Sequence, residues 1–415
     1  MKYLSLIIIL SVVFISELFP QNISPYTRYG IGDILYTYSS RSLSMGQAGS
    51  AIVNRNFVSI TNPASWSSLK TTRIEFSYAL NLSQLNTSND SRIYRQGDFK
   101  GFTFAFPVSS DYGVGVAMGL IPYSRLHYSV QEHIQNDPII TSDYIQNLKG
   151  EGGLSKLFIG TSYKLPFDLI LGATFDYYFG NLEYHSQLIF PDNSQQPTDY
   201  KLIYSPTGVG TTLGVITPDM SGLLKNDVIS NLRLGISMNL IPELNTDSLL
   251  TTKSNTFVDT VAEGTTKMKI PARITIGSAV TLGEQYFLSL DYSFQPWQDF
   301  EFTPINEQNL RNAQKISLGF EFQPKFRLGM TFWEQILWRF GLSYEQTQYS
   351  IRNNNLNQYS VSGGFSLPFG QANSLDFAVE YATRGTKDAN LILENFISFN
   401  IGFSFGDVWF TRYEK

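Results

Sequence analysis

Histidine occurs only at positions 127, 133 and 185 of the 415 residues, and cysteine is absent. A hydrolase needs a nucleophile beside a positioned base, and a metal centre needs His, Cys or carboxylate ligands at close, regular spacing. His127 and His133 have no companion at ligand or helical spacing and read as surface histidines. Without cysteine there are no disulfides, thiolate metal sites or thiol nucleophiles. The run Gly113-Val-Gly-Val-Ala-Met-Gly119 looks like a dinucleotide fingerprint, but its third glycine falls one residue late and no helical periodicity follows. No enzyme, no metal and no cofactor is expected. A net charge of −5, with nothing resembling a basic stripe, also argues against a nucleic-acid partner.

The residues with another kind of use are Asn62-Pro63-Ala64, in a stretch rich in small residues, and the glycines up to Gly119 with the Pro122 that follows. Val114, Val116, Met118 and Leu120 alternate with Gly113, Gly115, Ala117 and Gly119, so one face is apolar and the other nearly bare. Pro122 cannot donate to a strand ladder and belongs at an edge, bulge or kink. The bare glycines either let the wall open there or make room for something packed behind it.

What positions these residues is a chain of strands. Ile397, Phe399, Ile401, Phe403 and Phe405 alternate with Ser398, Asn400, Gly402 and Ser404, and the segments 315–322 and 375–381 read the same way. Fourteen such segments are centred near residues 78, 102, 118, 160, 175, 209, 237, 275, 291, 318, 342, 363, 379 and 400. No helix lies between them to cover the apolar faces, so lipid is the expected cover and an all-β, closed antiparallel transmembrane barrel the expected fold. A soluble sandwich or propeller also alternates. Against it, Arg73, Glu75, Arg233, Asn239, Arg273, Asp291, Lys315, Glu321, Arg339, Glu345, Asp376 and Glu380 all fall on the side opposite a uniformly apolar face, where they would pair across a watered lumen. The 24 Tyr and 31 Phe suit aromatic girdles at the two membrane interfaces.

Residues 1–20 have a basic start and a short apolar core, the pattern of a secretory signal peptide with a mature start near Gln21. Residues 21–70 lack alternation and are expected to form a plug, or hatch, of short helices and turns in the lumen; a disordered extension is the alternative. The barrel is placed at 71–405 and a periplasmic tail at 406–415. Connections near 84–97, 131–153, 185–201, 244–267 and 299–310 are long and polar and belong outside, whereas 109–111, 166–168, 283–285 and 370–373 read as periplasmic turns. Segments 217–230 and 324–334 are longer than that rule prefers.

Several short stretches together resemble the FadL/TodX-type outer-membrane channels for hydrophobic compounds, in a Bacteroidota-like version. They are Ser44-Met-Gly-Gln-Ala-Gly49, Asn62-Pro63-Ala64, Gly119-Leu-Ile-Pro-Tyr123, Pro271-Ala-Arg-Ile-Thr-Ile-Gly277, Tyr292-Ser-Phe-Gln-Pro-Trp297, Arg339-Phe-Gly-Leu-Ser-Tyr-Glu345, Glu394-Asn-Phe396 and Asp407-Val-Trp-Phe410. The resemblance implies fourteen strands and a hatch, with Asn62, Pro63 and Ala64 near a ligand path and Gly119 and Pro122 marking a kink beside a lateral exit. It implies a monomer in the Gram-negative outer membrane that takes up hydrophobic small molecules or lipids, such as long-chain fatty acids, by passive diffusion. The same family is similar to the barrel that receives cargo in type IX secretion, so an accessory barrel docking secreted proteins is the alternative. A tail after the last strand departs from the family and leaves Phe405 and Phe410 as competing end signals. A continuous apolar cavity beneath Asn62 would favour uptake, and a large exposed aromatic or apolar patch on the outer loops would favour docking.

Overall fold

The alternating segments pair with their neighbours until the last meets the first. The computed structural model describes residues 24–409 apart from 136–142, 192–196, 254–257, 304–309, 326, 328 and 371. Its wall begins with β2 (Thr72–Asn86) and β3 (Ser91–Ser109), continues through β4 (Val114–Pro122) and β5 (Ser124–Ile134), and then β6 (Tyr144–Lys164), β7 (Ile170–Ile189), β8 (Thr198–Ile216) and β9 (Ile229–Leu240). It is completed by β12 (Arg273–Leu282), β13 (Tyr286–Gln295), β14 (Ala313–Phe322), β15 (Leu337–Ile351), β16 (Asn354–Phe369), β17 (Asn373–Arg384) and β18 (Leu393–Asp407). β18 pairs with β2, from Leu393↔Asn86 to Asp407↔Thr72, and closes the ring. With β4 and β5 counted as one interrupted strand, the wall has fourteen antiparallel strands, and each centre read from the sequence lies in one of them.

Side-chain direction follows the period of two. Phe399 and Ile401 are exposed on the outer surface while Asn400 is buried within, and Leu318 and Ser317 repeat the arrangement. Cross-strand aromatic contacts hold the lipid face together; the rings of Phe76 and Phe403 stack with centroids 4.8 Å apart. The signal peptide, the start at Gln21 and the end signal at Phe410 lie outside the described residues.

Beyond the rim carrying the long connections, called here the outer rim, the wall continues. β6, β7 and β8 have 21, 20 and 19 residues, where about 9–11 suffice to cross a bilayer. The segment expected as a long polar loop at 244–267 is instead a hairpin, β10 (Leu244–Lys253) and β11 (Val258–Met268), whose first strand pairs with β8 from Asn245↔Thr207 to Lys253↔Asp199. Likewise, most of 84–97 is strand, with a turn only at 87–90. The reason is the solvent: where both faces of a strand are wet, polar residues fill both, and the alternation that marks a lipid-spanning strand vanishes.

Residues 24–70 run through the lumen as a plug of turns with one short helix, α1 (Ser40–Ser44), and a two-residue strand, β1 (Asp33–Ile34), that pairs with β5. Ser39 caps α1, its hydroxyl accepting from the Ser42 N–H at 3.1 Å. Pro63 opens a second helical turn, Pro63–Ser68, capped by the Asn62 side chain, which accepts from Ala64 N–H at 3.1 Å.

Candidate functional site: a plugged lumen and an interrupted strand

Asn62 has no exposed surface. Its Nδ2 donates to Ser50 O at 2.6 Å within the plug and to Val215 O and Ile236 O, both at 3.3 Å, on β8 and β9. One amide therefore fastens the plug to two wall strands. The wall admits it by omitting side chains: a Cβ on Gly214 would stand 2.0 Å from Asn62 Oδ1, and one on Gly235 would stand 2.2 Å from Ser50 O. Ala64 is fully buried in a small cluster with Ile170 and Ile216, and Pro63 lies beside it.

The glycine strand divides between the two roles left open by the sequence. Gly115 makes room for the plug, since a Cβ there would meet Trp66 O at 2.5 Å, whereas at Gly119 the nearest atoms are Phe102 O, Phe158 and Thr103 of the wall. At Pro122 the strand does break. Pairing with β3 ends at Phe102↔Leu120, Tyr123 belongs to neither β4 nor β5, and β5 then pairs with β6 on one side and with plug strand β1 on the other, Arg125 facing Asp33. The interruption is filled. Tyr123 O accepts from Leu35 N–H at 3.0 Å, and Arg125 on β5 reaches Asp98 on β3 at 2.5 Å.

The charged inward-facing residues do more than line a watered lumen. Arg41 of α1 donates through Nη2 to both oxygens of Glu321 at 3.0 Å, and Arg339 binds Glu321 at 2.5 Å and Asp376 at 3.2 Å. Asp291 accepts from the backbone N–H groups of Gly49 and Ser50 at 2.8 and 2.9 Å and from the Ser50 hydroxyl at 2.8 Å. Toward the outer rim Arg384 holds Asp33 and Glu394, both at 2.7 Å, while Ser24 donates to Glu394 at 2.6 Å. Tyr38 of the plug donates to Glu75 at 2.8 Å; burial, reinforced by the Glu75 charge, pushes its hydroxyl well above the ordinary tyrosine range, so it stays a donor. Sequence reading placed Glu321 and Asp291 on the inner face but missed their plug partners Arg41, Gly49 and Ser50, which are distant in the chain. The available signal was a set of acids on the inner faces of several strands, Asp291, Glu321 and Glu345 on consecutive ones, facing a plug with few cations.

The lumen around this lock contains cavities of about 230, 180 and 40 Å³. The largest is bordered by Arg41, Arg73, Glu75, Arg339 and Asp376, the next by Lys100, Arg125, Glu380 and Arg384, and the smallest by Lys156, Arg273, Asp291 and Lys315. The apolar residues of the upper lumen, among them Trp297, Phe300 and Tyr178, are packed against Ile31 and Ile34 of the plug. Of the histidines, His185 has acidic neighbours, its ligand atoms and those of Glu151 and Glu183 lying within 4.8 Å of one another. Lys201 already neutralises Glu183 from 2.6 Å, so the cluster is an ion pair on the outer sheet.

This architecture matches solved outer-membrane channels at the level of fold. The Ralstonia pickettii toluene transporter TbuX aligns with a TM-score of 0.57 at 16% identity over 88% of this chain and 96% of its own. The Pseudomonas putida toluene transporter TodX gives 0.56 at 15% over 90% and 98%, and a Pseudomonas aeruginosa FadL homologue 0.60 at 10% over 90% and 99%. The resemblance to FadL/TodX barrels therefore holds for the fold. No curated protein matches the chain. A family profile does match, over residues 1–414, nearly the whole sequence; by that match the chain belongs to the BamG family.

Proposed function

We propose that this protein is an accessory outer-membrane barrel that docks other proteins at its outer face, as a subunit of a machinery handling exported or membrane-assembled proteins, with its lumen kept closed. The observation that carries this reading is the ionic lock between plug and wall. A hydrophobic ligand needs a cavity of about 300–1,000 Å³ with mostly apolar walls. Here a ligand would have to displace Arg41 from Glu321 or Asp291 from the plug backbone, leaving a buried charge unpaired. Strands extended past the bilayer and a pairing hairpin, β10–β11, supply instead a large outer surface of polar strand. Membership of the BamG family, rather than of the hydrocarbon transporters, supports the same reading.

Uptake of hydrophobic compounds is the second reading. It is favoured by the interrupted third strand at Pro122 and by the likeness of fold to the toluene transporters. One pair of measurements separates the two. Mild-detergent extraction of native membranes should yield the barrel in a complex of fixed stoichiometry, and vesicles containing it should admit toluene or a fluorescent fatty acid no faster than empty ones. Saturable entry that falls in Pro122→Val, together with a barrel that extracts alone, would overturn the proposal in favour of a channel.

A further inference from the structure

The wall lacks one stretch of strand, and the place where it is missing has the form of a strand receptor. Above Phe102↔Leu120, β3 and β5 part. From Ser91 to Phe99, β3 pairs only with β2, and from Ser129 to Ile134, β5 pairs only with β6, among the described residues. Two rows of backbone N–H and C=O groups therefore face a shared gap without sheet partners. A cleft of about 530 Å³ opens beside them, bordered by Arg92 and Tyr94 of β3, by Val130 and Gln131 of β5, by Tyr26 and Tyr29 of the plug, and also by Leu85 of β2, Ile351 of β15 and Leu391.

The lower part of the same gap shows how such an edge is used. There the chain supplies its own extended segment: β1 adds antiparallel to β5 through Asp33↔Arg125 and Ile34↔Ser124, Ser24 N–H donates to His127 O at 3.0 Å, and the Thr27 hydroxyl accepts from His127 N–H at 3.1 Å. Beyond His127 the plug touches β5 through the Arg28–Glu132 ion pair at 3.6 Å rather than through backbone hydrogen bonds among the described residues, and there the cleft begins. Main-chain pairing at an unfilled edge gives affinity without regard to side chains, and flanking pockets and charges give selectivity. The charged residues around the cleft are Arg28, Arg92, Arg352 and Asp90; Asp90 holds Arg92 at 2.9 Å and Glu132 of β5 holds Arg28 at 3.6 Å, so Arg352 is the cation in excess of these pairs.

We infer that the upper part of this notch receives an extended, acidic segment of a partner polypeptide, which adds as a strand between β3 and β5. The inference rests on the docking function proposed above and deepens it. It adds a specific geometry: residues of the inserted segment face the two edges alternately, with their acidic side chains toward Arg28, Arg92 and Arg352.

A photoreactive amino acid placed singly at Arg92, Ile93, Tyr94, Arg95, Ser129, Val130 and Gln131 in the full-length protein, in cells, tests it. Illumination should join both edges to the same short stretch of one other protein. The site of attachment should move along that stretch in steps of two as the probe moves by two, and the Arg92→Glu and Arg352→Glu variants should lower the yield several-fold at the β5 positions. Adducts to lipid alone, to scattered proteins without register, or to this chain's own residues 21–23 would overturn the inference. If those outcomes appear while the stoichiometric complex persists, the notch fails and the docking function stands; if the complex is also absent and toluene enters vesicles, the function itself fails.

Discussion

The lumen and the outer rim of this barrel are built on opposite plans. Inside, the charges of the Arg41–Glu321–Arg339–Asp376 cluster are paired, and wall glycines bring strand backbone against plug backbone. At the rim, the strands outrun the bilayer, a hairpin extends the sheet, and clefts of about 530 and 710 Å³ lie beside β3, β5 and β11. Buried charges tolerate no misplacement, because one left unpaired in a low-dielectric interior is costly, whereas exposed polar strand tolerates change freely. The difference teaches that the plug is a structural part of the barrel and that variable contacts belong at the rim.

The contrast is broken most severely at its ionic centre. Glu321→Gln leaves Arg41 and Arg339 competing for a neutral amide and should destabilise the barrel by about 3–5 kcal/mol, read from the urea midpoint at which heat-modifiable gel mobility is lost. A shift under a quarter of that would mean the lock is ornamental. Leu234, exposed on the lipid side of β9, separates wall from plug. Leu234→Arg should cost about 2–4 kcal/mol in bilayers if it sits near the midplane, while the plug stays protease-protected in molecules that fold.

A finer probe is steric. Gly214→Val drives a side chain into Asn62 Oδ1, with an expected loss of about 1–3 kcal/mol from overpacking. Combining it with Asn62→Ala should recover part of that loss, and the double-mutant cycle measures the coupling. Strict additivity would show that the two positions do not meet. The smallest effect belongs to the rim: Thr265→Ala, on the exposed strand β11, should move the midpoint by about 0.5 kcal/mol or less.

Strand centres were legible because lipid enforces the alternation: Phe399 and Ile401 cannot trade places with Asn400 without burying an amide in hydrocarbon. The outer strands were not legible, since from Asp247 to Lys253 neither face is fully buried and nothing enforces alternation. Asn62 could be singled out from its neighbour Pro63 and the small residues before it, but its three carbonyl partners at positions 50, 215 and 236 could not. The break at Pro122 was legible from proline chemistry. That the break is filled by β1 and by the Asp98–Arg125 pair was not.

By itself, then, the sequence determined the barrel, its strand count and which face of each strand meets lipid, because these depend on local periodicity and on the hydrocarbon's refusal of unpaired polar groups. Only the tertiary structure decided what the inner face meets. Whether Glu321 faces water or Arg41, 280 residues away in the chain, and whether the gap above Leu120 is open or lined, depend on where the plug comes to rest, and Coulomb pairing and steric fit at such ranges leave no periodic trace in either segment.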